Sequence, residues 1–502
     1  MGQALQKLKE RLAEVEDLRG AASVLAWDQE TYMPRGAVET RAAQSATLER
    51  LIHERATAGE VGDLIEAASE EVASLDPDST ETRFVKVARR DFDRATKIPS
   101  RLVAEFAETT ARAMPAWADS RKRNDFAAFA PHLEKIVGLC VEKAEAVGYE
   151  DDPYDALLDE FEPEMKTAEV DRVFSELRSN LVPIVKAIAS AEPPESGFLH
   201  QRYDERIQWD FGIRVVKDLG YDFERGRQDR SAHPFTIHFS ADDVRITTRV
   251  NEDFLPTALF GTLHEAGHAL YEQGIAPELK RTPLAKGTSL GIHESQSRLW
   301  ENQVGRSRAF WRAYYPDLQL AFPTQLGAVP VDDFYRAINR VEPSLIRVEA
   351  DEVTYNLHIM LRFELERALI AGELKVADLP GVWTERMGDY LGVTPDDDAS
   401  GVLQDVHWSM GAFGYFPTYT LGTLMSAQVF AAVRRDMDDI DDMIAARDFR
   451  PLLDWLQNRI YRHGRTFTAA ETLKASTGQT LDSAGWLAYI KGKFGRIYGS
   501  LA

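Results

Sequence analysis

Cysteine is almost missing from this chain: Cys140 is the single one in 502 residues, which excludes an intrachain disulfide framework and leaves at most one thiolate for a metal. It sits in the apolar run Ile136-Val137-Gly138-Leu139-Cys140-Val141, the setting of a buried core thiol rather than a reactive one. Missing too is any uncharged apolar run near the ~20 residues that a membrane-spanning helix requires. The opening residues Met1-Gly2-Gln3-Ala4-Leu5-Gln6-Lys7 hold no apolar stretch of secretory type, and Gln6 stands where a myristoylation motif wants Ser or Thr. A cytoplasmic protein is the default expectation. Positive charge is in short supply, with 59 Lys plus Arg against 81 Asp plus Glu and a formal charge of −22. Nucleic acid and membrane surfaces are therefore not expected partners, since both are bound through cationic patches.

With 44% hydrophobic and 28% charged residues, the chain is composed like a large globular protein that can bury a sizeable core. Apolar residues recur at helical spacing, as in Leu5, Leu8, Leu12, Val15 and Leu18, and again in Leu133, Ile136, Val137 and Cys140. The expected class is mainly α, a large helical fold with residues 1–502 as a single domain. Pro99, Pro153 and Pro193-Pro194 punctuate helix ends, and Asp125 is placed to cap the segment after it. One stretch breaks the rhythm: at 236–240 and 244–250, β-branched residues alternate with polar ones around Ala241-Asp242-Asp243, the pattern of a short hairpin. An exposed strand edge there can pair with an extended peptide through main-chain hydrogen bonds.

Directly after the hairpin stands His264-Glu265-Ala266-Gly267-His268, an HExxH motif. Asn251 or Asp253 is expected to cap a helix that turns Leu255, Leu259, Leu263, Ala266 and Leu270 inward and ends at Gly274. His264 and His268 then lie one turn apart on one face, where two imidazoles converge on a single tetrahedral ion. Glu265 beside them is the natural base for an activated water. Five of the 11 histidines, His233, His238, His264, His268 and His293, crowd into this region. Catalytic zinc takes a third protein ligand and keeps a position open. Glu294 supplies it from a second helix capped by Thr288 or Ser289. His293 is the rival ligand, but as Glu294's neighbour on a helix it points about 100° away. Arg298, one turn on, is placed to hold the Glu294 carboxylate. Zinc, one per chain, is the expected cofactor, and the same donors also accept cobalt or manganese.

Beyond this motif the chain resembles the carboxypeptidase Taq family of thermostable-type metallocarboxypeptidases. The resemblance rests on a series of blocks in order: His233-Pro234-Phe235, Asp243-Val244-Arg245-Ile246-Thr247, HExxH, His293-Glu294-Ser295-Gln296, Ile346-Arg347-Val348-Glu349-Ala350-Asp351, and Gly401-Val402-Leu403-Gln404-Asp405-Val406-His407-Trp408. Leu25-Ala26-Trp27-Asp28-Gln29-Glu30-Thr31-Tyr32-Met33-Pro34 and Tyr154-Asp155-Ala156-Leu157-Leu158-Asp159 also look like the family. The resemblance implies helical lobes flanking a deep active-site cleft, with a metal-site core at about 233–420 and a small sheet next to the HExxH helix. It further implies a homodimer, and removal of carboxy-terminal residues from peptide substrates with broad side-chain preference.

An exopeptidase must grip a free carboxylate, which the Arg fork does bidentately. Arg347 is the first candidate because it matches the family block, and Arg245 the second. His407 with Tyr419 is the expected donor pair for the oxyanion, by likeness to related HExxH-plus-Glu peptidases, and Tyr415 is a further phenol of the same region. His233 and His238 either shape a substrate strand or are ordinary hairpin residues. Asp351 and Asp405 are candidate carboxylates for the far nitrogen of a metal-bound imidazole. Two other readings remain open: an endo-acting oligopeptidase, for which a carboxylate-binding Arg has no use, and a non-catalytic helical zinc-binding scaffold, for which Glu265 has none.

Overall fold

Leu5, Leu8, Leu12 and Val15 all lie on the buried side of one long helix, Gln3–Thr31, in the computed structural model, which describes residues 2–499. The helical expectation holds throughout: among the described residues there are 21 α-helices and a single three-stranded sheet. No helix among them is long and apolar enough to cross a membrane.

The chain divides into two compact units, each assembled from three separate segments. The first takes the amino-terminal segment through Thr96, Ser196–Ile338 and Val429–Thr480. The second takes Lys97–Glu195, Asn339–Gln428 and the segment from Leu481 onward.

In the first unit the long amino-terminal helix packs Leu5, Leu8 and Leu12 against Val61, Ile65 and Val72 of Gly59–Val72 and against Phe84 and Val85 of the next helix. The sheet has the order β1-β3-β2, with β1 at Gln228–Arg230, β2 at Thr236–Ser240 and β3 at Asp243–Thr248. β2 and β3 form the expected antiparallel hairpin, with an irregularity between His238 and Ser240. The turn is tighter than the sequence suggests: Asp243 already pairs with Ser240, and β3 stops at Thr248. β1, parallel to β3, escapes sequence reading because three polar residues show no alternation. β3 is the buried centre, with Val244, Ile246, Thr247 and Thr248 all inside, and β2 lies at an edge.

In the second unit the buried helix Tyr355–Ile370 carries Glu366, whose carboxylate accepts from Tyr154 Oη (2.6 Å), Trp408 Nε1 (2.8 Å) and Gly414 N (3.0 Å). Glu366 thus anchors both ends of the loop that follows His407. Burial pushes its carboxyl up to about 7 against the pull of those donors. Cys140 is buried here as expected, its thiol raised to about 12 by burial. Glu366→Ala strands three buried donors, each costing about 1–3 kcal/mol. The variant is expected to lose about 3 kcal/mol or more, read as a lower denaturant midpoint.

Candidate metal centre and active site

The HExxH helix runs Pro256–Gln273 and, with Leu255 at its N-cap, buries Leu259, Leu263, Ala266 and Leu270, the residues its spacing predicts, and Gly274 ends it. Its start differs from expectation. Neither Asn251 nor Asp253 caps it; Leu255 is the N-cap residue, with no side-chain cap, and Pro256 follows. A proline in the first turn has no N–H to satisfy, so one orphan donor disappears without a cap. Asn251 Oδ1 instead accepts the Asp253 N–H at 2.9 Å, tightening the turn before the helix. The next helix, Leu290–Arg298, is capped by Ser289, which accepts from Ile292 N at 3.0 Å.

The two helices touch backbone to backbone. A Cβ on Gly267 would lie 2.6 Å from Ser297 Cα and 2.7 Å from the Gln296 carbonyl oxygen, so only glycine allows this approach. The contact brings Glu294 across to the histidines. His264 Nε2 and His268 Nε2 each lie 3.5 Å from Glu294 Oε2, and the three donor atoms all fall within 4.8 Å of one another. Ligands at ~2.0–2.1 Å on a tetrahedral ion stand about 3.4 Å apart, so this donor set fits a zinc-sized cation. Arg298 Nε donates to Glu294 Oε1 at 2.7 Å, as expected, and Ser297 Oγ donates to Oε2 at 3.0 Å.

The far nitrogens of the imidazoles are also engaged. His264 Nδ1 meets Glu301 Oε2 at 2.9 Å, and Glu301 Oε1 accepts from Arg306 at 3.3 Å. Glu301 lies on Leu299–Gly305, a fully buried π-helical continuation of the Glu294 helix; the extra residue per turn re-aims side chains, and such turns recur at functional sites. His268 Nδ1 meets His293 Nδ1 at 2.6 Å, and His293 Nε2 meets Glu272 Oε1 at 2.7 Å. The rival ligand therefore stands behind His268 rather than beside Glu294. Asp351 and Asp405 do not take the imidazole-backing role expected of them. Asp351 accepts from Val353 N, Thr354 N and Glu342 N, and Asp405 pairs with two arginines of its own unit. Glu301 left a trace in the sequence, two helical turns beyond Glu294, and Glu272 another, one turn beyond His268.

Glu265 is 6% exposed. Thr236 Oγ1, at the start of β2, lies 2.7 Å from Glu265 Oε2 and 2.8 Å from the Glu265 carbonyl oxygen. Burial raises the Glu265 carboxyl above its usual range, against the opposing pull of His264 and Thr236. Burial brings His268 down to about 4 and likewise opposes protonation of His264, where Glu294 and Glu301 outweigh it and raise the ring. Burial also opposes the charge on Glu294, yet Arg298 and the histidines keep it well below the carboxylate range.

The remaining predicted residues fall in two places. Arg245, on β3, gives Nε and Nη2 to Asp243 (2.9 and 2.8 Å) and stacks between Trp27 and Phe239, 4.3 and 4.6 Å from their ring centres. His233 is exposed, and its carbonyl accepts from Ser231 Oγ at 2.6 Å. The second unit gathers Arg347, His407, Tyr415 and Tyr419. The His407 ring lies 5.3 Å from Tyr415 and 6.5 Å from Tyr419, and the Arg347 guanidinium 5.3 Å from the Tyr419 ring. Arg347 gives Nε and Nη2 to Asp405 Oδ1 (2.9 and 2.7 Å) and Nη1 to Tyr355 Oη (2.9 Å). Arg362 Nε binds the other oxygen of Asp405 at 2.6 Å. Burial lowers His407 to about 4 despite Asp405 nearby, so its imidazole is neutral at pH 7.

Gly267→Ala is expected to push the Glu294 helix away. It should weaken metal binding at least tenfold in a chelator competition and lower stability by about 1–3 kcal/mol.

Residues 7–494 match the family described as carboxypeptidase Taq (M32) metallopeptidase. The chain is 43% identical to thermostable carboxypeptidase 1 of Thermus thermophilus over 99% of both chains. It is 39% identical to thermostable carboxypeptidase 1 of Pyrococcus furiosus over 94% of its own length and 95% of the relative's. Among solved structures, an M32 carboxypeptidase from Deinococcus radiodurans R1 is similar with a TM-score of 0.97 at 45% identity, covering 99% of this chain and 100% of that one. With a family match over nearly its whole length and a His-His-Glu cluster of metal-binding geometry, the chain belongs to the carboxypeptidase Taq (M32) family and is a metallocarboxypeptidase.

Proposed function

We propose that the whole chain acts as one zinc-dependent carboxypeptidase domain that removes carboxy-terminal residues from peptides with broad side-chain preference, with His264, His268 and Glu294 as ligands and Glu265 as general base. The observation that carries this reading is the pair of Nε2 atoms 3.5 Å from Glu294 Oε2, on the helix where Glu265 follows His264. A zinc ion bound there supplies a Lewis acid that acidifies water and polarises the scissile carbonyl. Glu265 takes the proton of the attacking water and passes it to the leaving amine nitrogen. The Thr236 hydroxyl fixes the carboxylate that performs this transfer.

Arg347 receives the substrate carboxylate. Two buried guanidiniums, Arg347 and Arg362, share the single carboxylate of Asp405, so this cluster carries an excess positive charge that an incoming carboxylate neutralises. Arg362 is wholly buried, whereas the Arg347 side chain keeps 6% exposure, which favours Arg347 for contact with a ligand. Arg245, stacked and paired with Asp243, orders the sheet beside the substrate, and His233 stands just before β2 of that sheet. His407 and Tyr419 are the neutral donors to the developing oxyanion, with Tyr415 lining the same region; a neutral imidazole donates without a protonation step. The active species is a homodimer.

Glu265→Gln is expected to retain zinc, by metal analysis, while kcat falls about a thousandfold or more. A peptide amidated at its carboxy terminus should resist digestion while its free-acid twin is shortened stepwise, as read by mass spectrometry. Equal cleavage of the two would instead support an endo-acting oligopeptidase.

A further inference from the structure

The two histidines of the cluster are backed differently. His264 Nδ1 meets a carboxylate directly, at Glu301, whereas an imidazole stands between His268 and its carboxylate. From His268 the chain of contacts runs Nδ1 to His293 Nδ1 at 2.6 Å, then His293 Nε2 to Glu272 Oε1 at 2.7 Å. The helix builds this arm by repetition, since His264, His268 and Glu272 follow one another at one-turn spacing. His293 enters from the neighbouring helix.

Each contact needs one proton between two heavy atoms, and with both rings neutral only one polarity satisfies all of them. If His268 presents a lone pair at Nε2, toward Glu294, its proton sits on Nδ1 and is donated to His293 Nδ1. His293 then carries its own proton on Nε2 and donates it to Glu272. In the opposite polarity His293 Nε2 would turn a lone pair against the carboxylate, and His268 would aim an N–H into the space between the three donor atoms. Glu272 Oε1 also accepts the Gly287 N–H at 3.1 Å, as befits an acceptor at the end of the chain. The ring of His293 is held sterically as well: a Cβ on Gly287 would lie 2.5 Å from His293 Cδ2, and the Tyr271 ring lies 5.3 Å away.

We propose that His293 and Glu272 are positioning residues which lock His268 as the Nδ1–H tautomer, and that this arm sets the affinity of the site for its metal. The inference rests on the reading of His268 as a ligand. Groups that orient a ligating imidazole in this way change metal affinity by about 10–100-fold.

The test is zinc affinity, measured by chelator competition on the full-length enzyme, with thermal unfolding of the metal-free protein as a control. His293→Leu, which can neither accept from His268 nor donate to Glu272, is expected to weaken zinc binding by about 10–100-fold. His293→Gln, whose amide oxygen accepts while its nitrogen donates, should restore most of that loss. Glu272→Gln, which keeps volume but removes the charge, should fall between the parent and the leucine variant. With cobalt substituted for zinc, the visible spectrum should shift in His293→Leu and return toward the parent in His293→Gln. Zinc affinities of His293→Leu and Glu272→Gln within twofold of the parent overturn the proposal, as does an equal loss in the leucine and glutamine variants, which marks a packing role. His268→Ala separates the two levels. If it binds zinc as tightly as the parent, the assignment of His268 as ligand fails; if it loses zinc while the His293 variants do not, only the positioning arm fails.

Discussion

The metal centre depends on one close approach, the backbone of the HExxH helix against the backbone of the helix that carries Glu294, at Gly267. Side chains at a helix interface ordinarily hold the axes about 8–10 Å apart, and a glycine lets the two backbones approach more closely. With hydrogen in place of a methyl group, Ser297 and Gln296 come into contact with residue 267. Glu294 Oε2 then sits at ligand spacing from both Nε2 atoms. Three candidate ligands from two helices come together because residue 267 carries no Cβ.

That proximity gathers charge. Glu272, Glu294 and Glu301 are buried within one network with Glu265 buried beside it, and Arg298 and Arg306 are the guanidiniums that hydrogen-bond into it. Carboxylates outnumber guanidiniums, and burying such an excess is costly unless a cation joins them. A divalent ion is the complement this electrostatic arrangement calls for, an argument independent of ligand distances. In the second unit the imbalance runs the other way, with Arg347 and Arg362 on the single carboxylate of Asp405. The carboxylate-rich network suits a cation, and the guanidinium-rich cluster carries the opposite charge.

Much was legible in advance because it is local. Helical spacing placed Leu5, Leu8 and Leu12 in a core and turned Leu259, Leu263 and Leu270 inward, since the period of an α-helix decides which residues share a face. The same period put His264 and His268 together and turned His293 away from Glu294. Alternation found the hairpin but missed β1, because a strand of three polar residues that pairs with a distant partner carries no local pattern. Capping was read correctly at Ser289 and Asp125 and incorrectly at Asn251 and Asp253, where Pro256 removed the need for a cap.

By itself, then, the sequence determined the helical class, the HExxH face, Glu294 as the candidate third ligand and, through its ordered blocks, the family. Each of these is written in spacing along the chain or in likeness to other chains. Only the tertiary structure decided what stands behind the ligands. Glu301, Glu272 and His293 back the imidazoles, in place of Asp351 and Asp405, and Arg347 pairs with Asp405. Such pairings join residues remote in sequence through side chains whose direction is set by packing, and no periodicity records them.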